Sequence, residues 1–247
     1  MVDNYSTDNT RAIAERYGAK VYVHGDERAE QINYGVKMAK GKYIFETGSD
    51  MVSDPTYVRE AVNKCLDGYD AIYSSVISVD NHNFWHRVKA LDRKVYIGCN
   101  EVEAAHFFER RLFLYLGGFD ERLISVEEDF QHRLDRNHFK TGRITARETH
   151  LHEATTLSEV GIKSYYYGNY IRRYVAKHPV RGSVYLAPLR PAYIKGAYLL
   201  ITNPLLTLGL IVLKTVQYSC GFIGFFAKTG KGKEEVYGKS IAGKSAT

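Results

Sequence analysis

The feature that most constrains this chain is its opening, Met1-Val-Asp-Asn-Tyr-Ser-Thr-Asp-Asn-Thr10. A short apolar start runs into an acidic, hydroxyl-rich loop, and the loop turns directly into a helical pattern. A strand that ends in carboxylates beside a helix start belongs to α/β architecture, where ligands gather at the carboxyl ends of strands. Ser6 or Thr7 is expected to cap a helix that runs to Tyr17 and stops at Gly18. Read alone, Ser-Thr-Asp is also what any helix N-terminus favours.

The alternation continues beyond the opening. Strands are expected at 20–24, 42–46, 69–76 and 104–109, and helices at 27–40, from Asp54-Pro55 to Asp67-Gly68, at 84–96 and at 126–137. A turn is expected at Gly117-Gly-Phe-Asp120, and a Tyr- and Arg-rich helix at 157–178. With 247 residues the chain is long enough for one domain and an appendage with a real core. The net charge of +6 suits a diphosphate substrate, an anionic membrane surface or both. No zinc-finger spacing, RNP-type aromatic motif or recognition helix accompanies that charge, so nucleic acid is not expected as a partner. Cys65, Cys99 and Cys220 stand far apart, which argues against a disulfide framework or structural zinc and for a reducing, cytoplasmic setting.

After residue 178 the composition changes. Gly196–Leu213 holds eighteen residues without a charge, and thirteen more follow Lys214 up to Ala227. Asn203-Pro204 interrupts the run, and basic residues flank it on both sides: Arg181, Arg190 and Lys195 before, Lys228, Lys231 and Lys233 after. Proline bends or breaks a helix, and positive flanks stay on the cytoplasmic side. A re-entrant or interfacial helical hairpin on a membrane surface is therefore expected, with a buried helix pair as the alternative. The implied division is a domain at 1–178, a linker at 179–195, a hydrophobic region at 196–227 and a basic tail at 228–247.

Four ordered segments between Val2 and His178 resemble family 2 glycosyltransferases of the GT-A fold. The first is the opening Val-Asp-Asn-x-Ser-Thr-Asp-x-Thr, with Tyr5 where that family often has Gly. The second is Arg28-Ala-Glu-Gln-Ile-Asn33-Tyr-Gly35 with Ala39-Lys-Gly41-Lys-Tyr-Ile. The third is Thr47-Gly48-Ser49-Asp50, matching the family's DxD site with Gly48 replacing the first Asp. The fourth is Gly117-Gly-Phe-Asp120-Glu followed by Glu127-Glu128-Asp129 and Arg133-Leu.

The resemblance implies a mixed α/β sheet flanked by helices, without the family's first strand, followed by C-terminal hydrophobic helices. It implies donor binding by Asp3, Ser6, Asp8, Arg28, Asn33, Gly48 and Ser49. It also implies Mg²⁺ or Mn²⁺ at Asp50 with His150 or His152, between which spacing does not choose. A hard cation takes oxygen ligands and neutralises a leaving diphosphate. Asp129 is the implied general base, with Glu128 as its neighbour. Each residue also has a plainer reading: a cap at Asp50, a solvated face at Arg28, an acidic helix start at 127–129. The expected reaction moves a sugar, with inversion, from a UDP- or GDP-sugar to the hydroxyl of a membrane-proximal or lipid-linked glycan. The alternative is an impaired domain that binds nucleotide or acts as a membrane-bound interaction module.

Overall fold

A computed structural model describes residues 1–79, 83–99, 103–151, 156–187 and 190–227. The chain divides into two compact units. The first holds Met1–Ser49, Ser53–Ser75 and Asn100–Arg147; the second holds Asp50–Val52, Val76–Cys99 and Glu148–Thr247.

The strands are β1 (Val2–Asp3), β2 (Tyr22–Val23), β3 (Tyr43–Phe45), β4 (Met51–Ser53), β5 (Ala71–Ser78), β6 (Ala105–Glu109) and β7 (Thr141–His150). β1 pairs with β2 in parallel as a two-stranded sheet. The other five follow the order β3-β6-β5-β7-β4. β6 is antiparallel to both β3 and β5. Bonds from Asp70 N–H to Lys140 O and from Val79 N–H to His150 O advance together, so β5 and β7 run parallel. Asp54 N–H to Arg147 O and Leu151 N–H to Asp50 O advance oppositely, so β4 is antiparallel to β7. This is the expected mixed α/β sheet.

In the first unit, helices α1 (Thr10–Arg16), α2 (Arg28–Met38), α3 (Tyr57–Leu66), α5 (Arg110–Tyr115) and α6 (Val126–Arg136) accompany the strands. One core joins Tyr57 and Ala61 of α3 to Ile72, Phe107, Ile144 and Ala146 of the sheet. Tyr57 stacks on Phe45 at 4.3 Å between ring centres, and its hydroxyl lies 2.9 Å from Ser74 Oγ. Phe108, Phe113, Phe119 and Phe130 form a second aromatic cluster that fastens α5 and α6 to β6. The Asp54-Pro55 start differs in detail from expectation. Both residues lie in a preceding turn closed by Tyr57 N–H on Asp54 O, and Thr56 takes the N-cap position.

The second unit contains α4 (Phe84–Tyr96), α7 (Leu157–Lys177), α8 (Pro179–Tyr185), α9 (Pro191–Lys195), α10 (Ala197–Thr202) and α11 (Pro204–Phe226). Asn83 caps α4, and Thr156 with Glu159 forms a reciprocal capping box on α7. Val88, Val160, Leu210 and Leu213 are its buried apolar core. The hydrophobic region does not fold into two comparable arms. The break at Asn203-Pro204 leaves a six-residue α10 and a 23-residue α11 that continues through Lys214. Proline stands at the start of α11, where its missing N–H costs nothing. The 228–247 tail lies outside the described residues.

Candidate functional site

In the first unit the sequence motifs converge on three elements. The opening loop is built around Asp3, which is 3% exposed. Its two carboxylate oxygens accept from Ser6 N–H at 2.9 Å and Ser6 Oγ at 2.6 Å, and Arg11 Nε approaches to 3.9 Å. Ser6 thus folds the loop back on the strand end and does not cap α1. Asp8 Oδ1 accepts from Thr10 N–H at 2.9 Å. The hydroxyl and then the N–H of Thr10 hold the Asp8 carboxyl below its ordinary range. Tyr5 adopts φ +51°. A left-handed backbone at this position accounts for the glycine that the resembling family favours there.

Arg28, the first residue of α2, reaches two carboxylates. Nη2 donates to Glu46 Oε1 at 2.8 Å, and Nη1 forms a close ion pair with Glu127 Oε1. Glu46 follows β3 directly and is buried; Glu127 lies in the first turn of α6. Partial burial works against the Arg28 charge, but Glu127 and Glu46 outweigh it and hold the guanidinium well above its ordinary value. One fork therefore ties together three segments that stand far apart in sequence. Thr47, Gly48 and Ser49 continue from Glu46 as an exposed loop.

Asn33 serves a different place. Its Nδ2 donates to Phe119 O at 2.9 Å and to Glu121 Oε1 at 2.8 Å, while Oδ1 accepts from Phe119 N–H at 2.8 Å. The turn it holds needs Gly117 and Gly118 at φ +83° and +72°. A Cβ on Gly118 would come within 2.6 Å of Asn33 Oδ1, so only glycine fits.

The acidic start of α6 resolves into separate roles. Asp129 is fully buried, with Oδ2 accepting from Arg133 Nε at 2.9 Å. Arg133 also donates to Leu116 O at 2.6 Å. A base must reach the hydroxyl it deprotonates. Asp129 is enclosed and paired with Arg133, and the pair braces α6 against the end of α5. Glu127 and Glu128 are the partly exposed carboxylates of that turn. Glu46 and Glu127 had no individual signal in the sequence beyond a strand end and a run of acids.

In the second unit Asp50 Oδ2 and His150 Nε2 stand 3.2 Å apart. Leu151 N–H to Asp50 O at 2.8 Å fixes the backbone beside them. Of the two histidines left open by spacing, His150 is the one described beside Asp50; His152 lies outside the described residues. Among the described residues no three His, Cys, Asp or Glu side chains gather as a ready-made metal cluster. An imidazole nitrogen and a carboxylate oxygen at this separation fit a cation that completes its shell from phosphate and water.

A mixed sheet flanked by helices, with polar loops at its strand ends, places the chain among GT-A nucleotide-sugar transferase folds. The mannosyltransferase PcManGT of Pyrobaculum calidifontis, solved with GDP-Man and Mn²⁺, superposes with a TM-score of 0.58 at 14% identity, covering 92% of this chain and 77% of that one. Glucosyl-3-phosphoglycerate synthase of Mycobacterium tuberculosis, solved with Mn²⁺ and UDP-Glc, gives 0.48 at 17% identity, covering 74% and 67%. Its complex with phosphoglyceric acid gives 0.47 at 17% identity, covering 67% and 64%. No curated protein matches the chain in sequence. Residues 1–121 match the family model "Glycosyl transferase family 2", so this stretch of the chain carries a glycosyltransferase domain of that family.

Proposed function

We propose that this glycosyltransferase moves a sugar from a UDP- or GDP-sugar to an acceptor hydroxyl with inversion at the anomeric carbon. The observation that carries the reading is the Arg28 fork between Glu46 and Glu127, which gathers the donor-side and acceptor-side motifs. The Asp3 loop and the exposed Gly48-Ser49 segment receive the nucleotide and ribose. Arg28 exchanges one carboxylate for a diphosphate oxygen, a trade its planar fork suits. Freed of that partner, Glu127 takes the acceptor proton, with Glu128 beside it. Asp129 with Glu128 as its neighbour, the base implied by the resemblance, is the competing assignment, and it lies in the same turn of α6.

Asp50 and His150 would hold Mg²⁺ or Mn²⁺, and such a cation supplies charge neutralisation to the departing diphosphate. A fold neighbour solved with GDP-Man and Mn²⁺ supports a divalent cation in this reading. The apolar α11 supports membrane association; we assign the catalytic part to the cytoplasm and a lipid-linked or membrane-proximal glycan as the acceptor.

Calorimetric titration with UDP and GDP, with and without Mn²⁺, tests the donor reading. Binding of one nucleotide that strengthens with Mn²⁺, and loses that gain in Asp50→Asn, is the expected result. A folded protein that binds neither nucleotide would leave the chain as a membrane-bound interaction module.

A further inference from the structure

The second unit carries a surface that transfer chemistry does not use. Beyond its first residue, Pro204, nine residues of α11 face outward: Leu205, Leu208, Ile211, Val212, Thr215, Ser219, Phe222, Ile223 and Phe226. At 100° per residue they fall within a single stripe about 120° wide. Seven are apolar and none is charged. Thr215 returns its hydroxyl to Ile211 O at 2.9 Å, which removes most of its demand for water. Lys214, the only charged residue of α11, points aside to Asp92 Oδ2 at 2.6 Å. Ile194 of α9 with Tyr198 and Ile201 of α10 adds further exposed apolar surface, at 81%, 76% and 76% exposure. An apolar patch of this extent on a soluble surface marks an interaction site.

What covers it follows from charge and from the back of the helix. Between Val160 and Lys233 the sequence holds eleven Lys and Arg and no Asp or Glu. Lys163, Arg172, Arg173, Lys177, Arg181 and Lys195 are exposed. A wholly basic segment around an uncharged stripe complements an anionic lipid surface.

α11 is also long and apolar enough to cross a bilayer. Its other face, however, is joined to α7 backbone against backbone. A Cβ on Gly168 would fall on the Gly221 carbonyl, and one on Gly224 would fall on the Tyr165 carbonyl. Gly161 lies against Cys220 Sγ and Val216. To span, α11 would have to carry α7 with it, together with the exposed cations Arg172, Arg173 and Lys177. Cations in the hydrocarbon centre are strongly disfavoured.

We infer that α10 and α11 lie in the plane of an anionic membrane surface, with the stripe dipped into the acyl boundary and α7 on the water side. This deepens the membrane association proposed above and is independent of the donor chemistry.

Co-sedimentation with phosphatidylcholine vesicles, with and without one quarter phosphatidylglycerol, reads the lipid preference. The full chain is expected to bind the anionic vesicles, to weaken as salt rises, and to lose at least tenfold in affinity on Ile211→Glu with Phe222→Glu. Nucleotide titration of that double variant should match wild type. Quenching by brominated lipids, with Trp placed at 208, 215 or 222 in a Trp85→Phe background, reads orientation. Equal depths support the in-plane helix. A steady change of depth, about 21 Å between 208 and 222 for an upright helix, overturns it while keeping the membrane association. Absence of vesicle binding overturns both, whether or not nucleotide binds. A self-association abolished by the double variant, without lipid binding, would give the stripe to a second copy of the chain and also overturn the inference.

Discussion

Asn33 grips the Phe119 peptide from both sides, donating to its carbonyl at 2.9 Å and accepting from its N–H at 2.8 Å. This one amide fastens α2 to the Gly-Gly-Phe-Asp turn, 86 residues away. Asn33→Ala leaves two backbone groups buried without partners, at roughly 1–3 kcal/mol each. A loss of about 3 kcal/mol is expected in urea unfolding, with little change in the slope.

Glu127 and Asp129 should separate cleanly. Glu127→Gln is expected to lower transfer by about 10²–10⁴-fold, the range for removing a positioned base, with nucleotide affinity within a few-fold of wild type. Asp129→Asn instead removes the charge that pairs with Arg133, and costs about 3 kcal/mol of stability. Loss of activity without loss of stability in Asp129→Asn would return the base to that residue.

Tyr5 holds φ +51°, a conformation that costs a side-chain-bearing residue about 1–2 kcal/mol. Glycine there removes that strain and gives back about 0.5–1 kcal/mol through its more mobile unfolded chain. Tyr5→Gly is thus expected to raise stability by about 0.5–1 kcal/mol, seen as a higher denaturation midpoint.

Glu60 supplies an acid-sensitive contact. The Thr56 hydroxyl, the Ala146 N–H and the hydroxyl and N–H of Thr145 pull its carboxyl down to about 2 from an ordinary 4.5. A depressed carboxylate stabilises the fold fully above the unfolded value, and the contribution disappears as pH falls from about 4.5 through about 2. Glu60→Gln should flatten that part of the stability–pH curve while leaving the pH dependence above 5 unchanged.

The α7–α11 seam has no room for side chains. Gly168→Ala or Gly224→Ala forces two backbones apart, and about 1–3 kcal/mol of destabilisation is expected from overpacking. Gly18→Ala tests a different cost, because Gly18 has φ +81° and open space around its missing Cβ.

Much of this architecture is legible in the sequence where local chemistry decides it. α4 spans the expected residues because Asn83 caps it and one face is apolar. β7 was not expected: the inward residues Gly142, Ile144, Ala146 and Glu148 alternate with polar ones but are mostly small or charged. Its hydrophobic period is therefore faint. β4 has three residues, too few for a pattern. At the site, the Asp3 loop and Arg28 were visible from motif. Which of Glu127, Glu128 and Asp129 is buried was not, because consecutive helical residues turn by about 100° and only tertiary packing decides which points inward.

The glycine seam also imposes an order of events on synthesis. α7 emerges from the ribosome well before α11, and the close approach at its Gly161 and Gly168 is not made until Pro204–Phe226 has been synthesised. A backbone surface without side chains offers little for any substitute to grip. The earlier helix is therefore released into the cell as one half of a joint, and its maturation waits on the completion of a helix translated some thirty residues later.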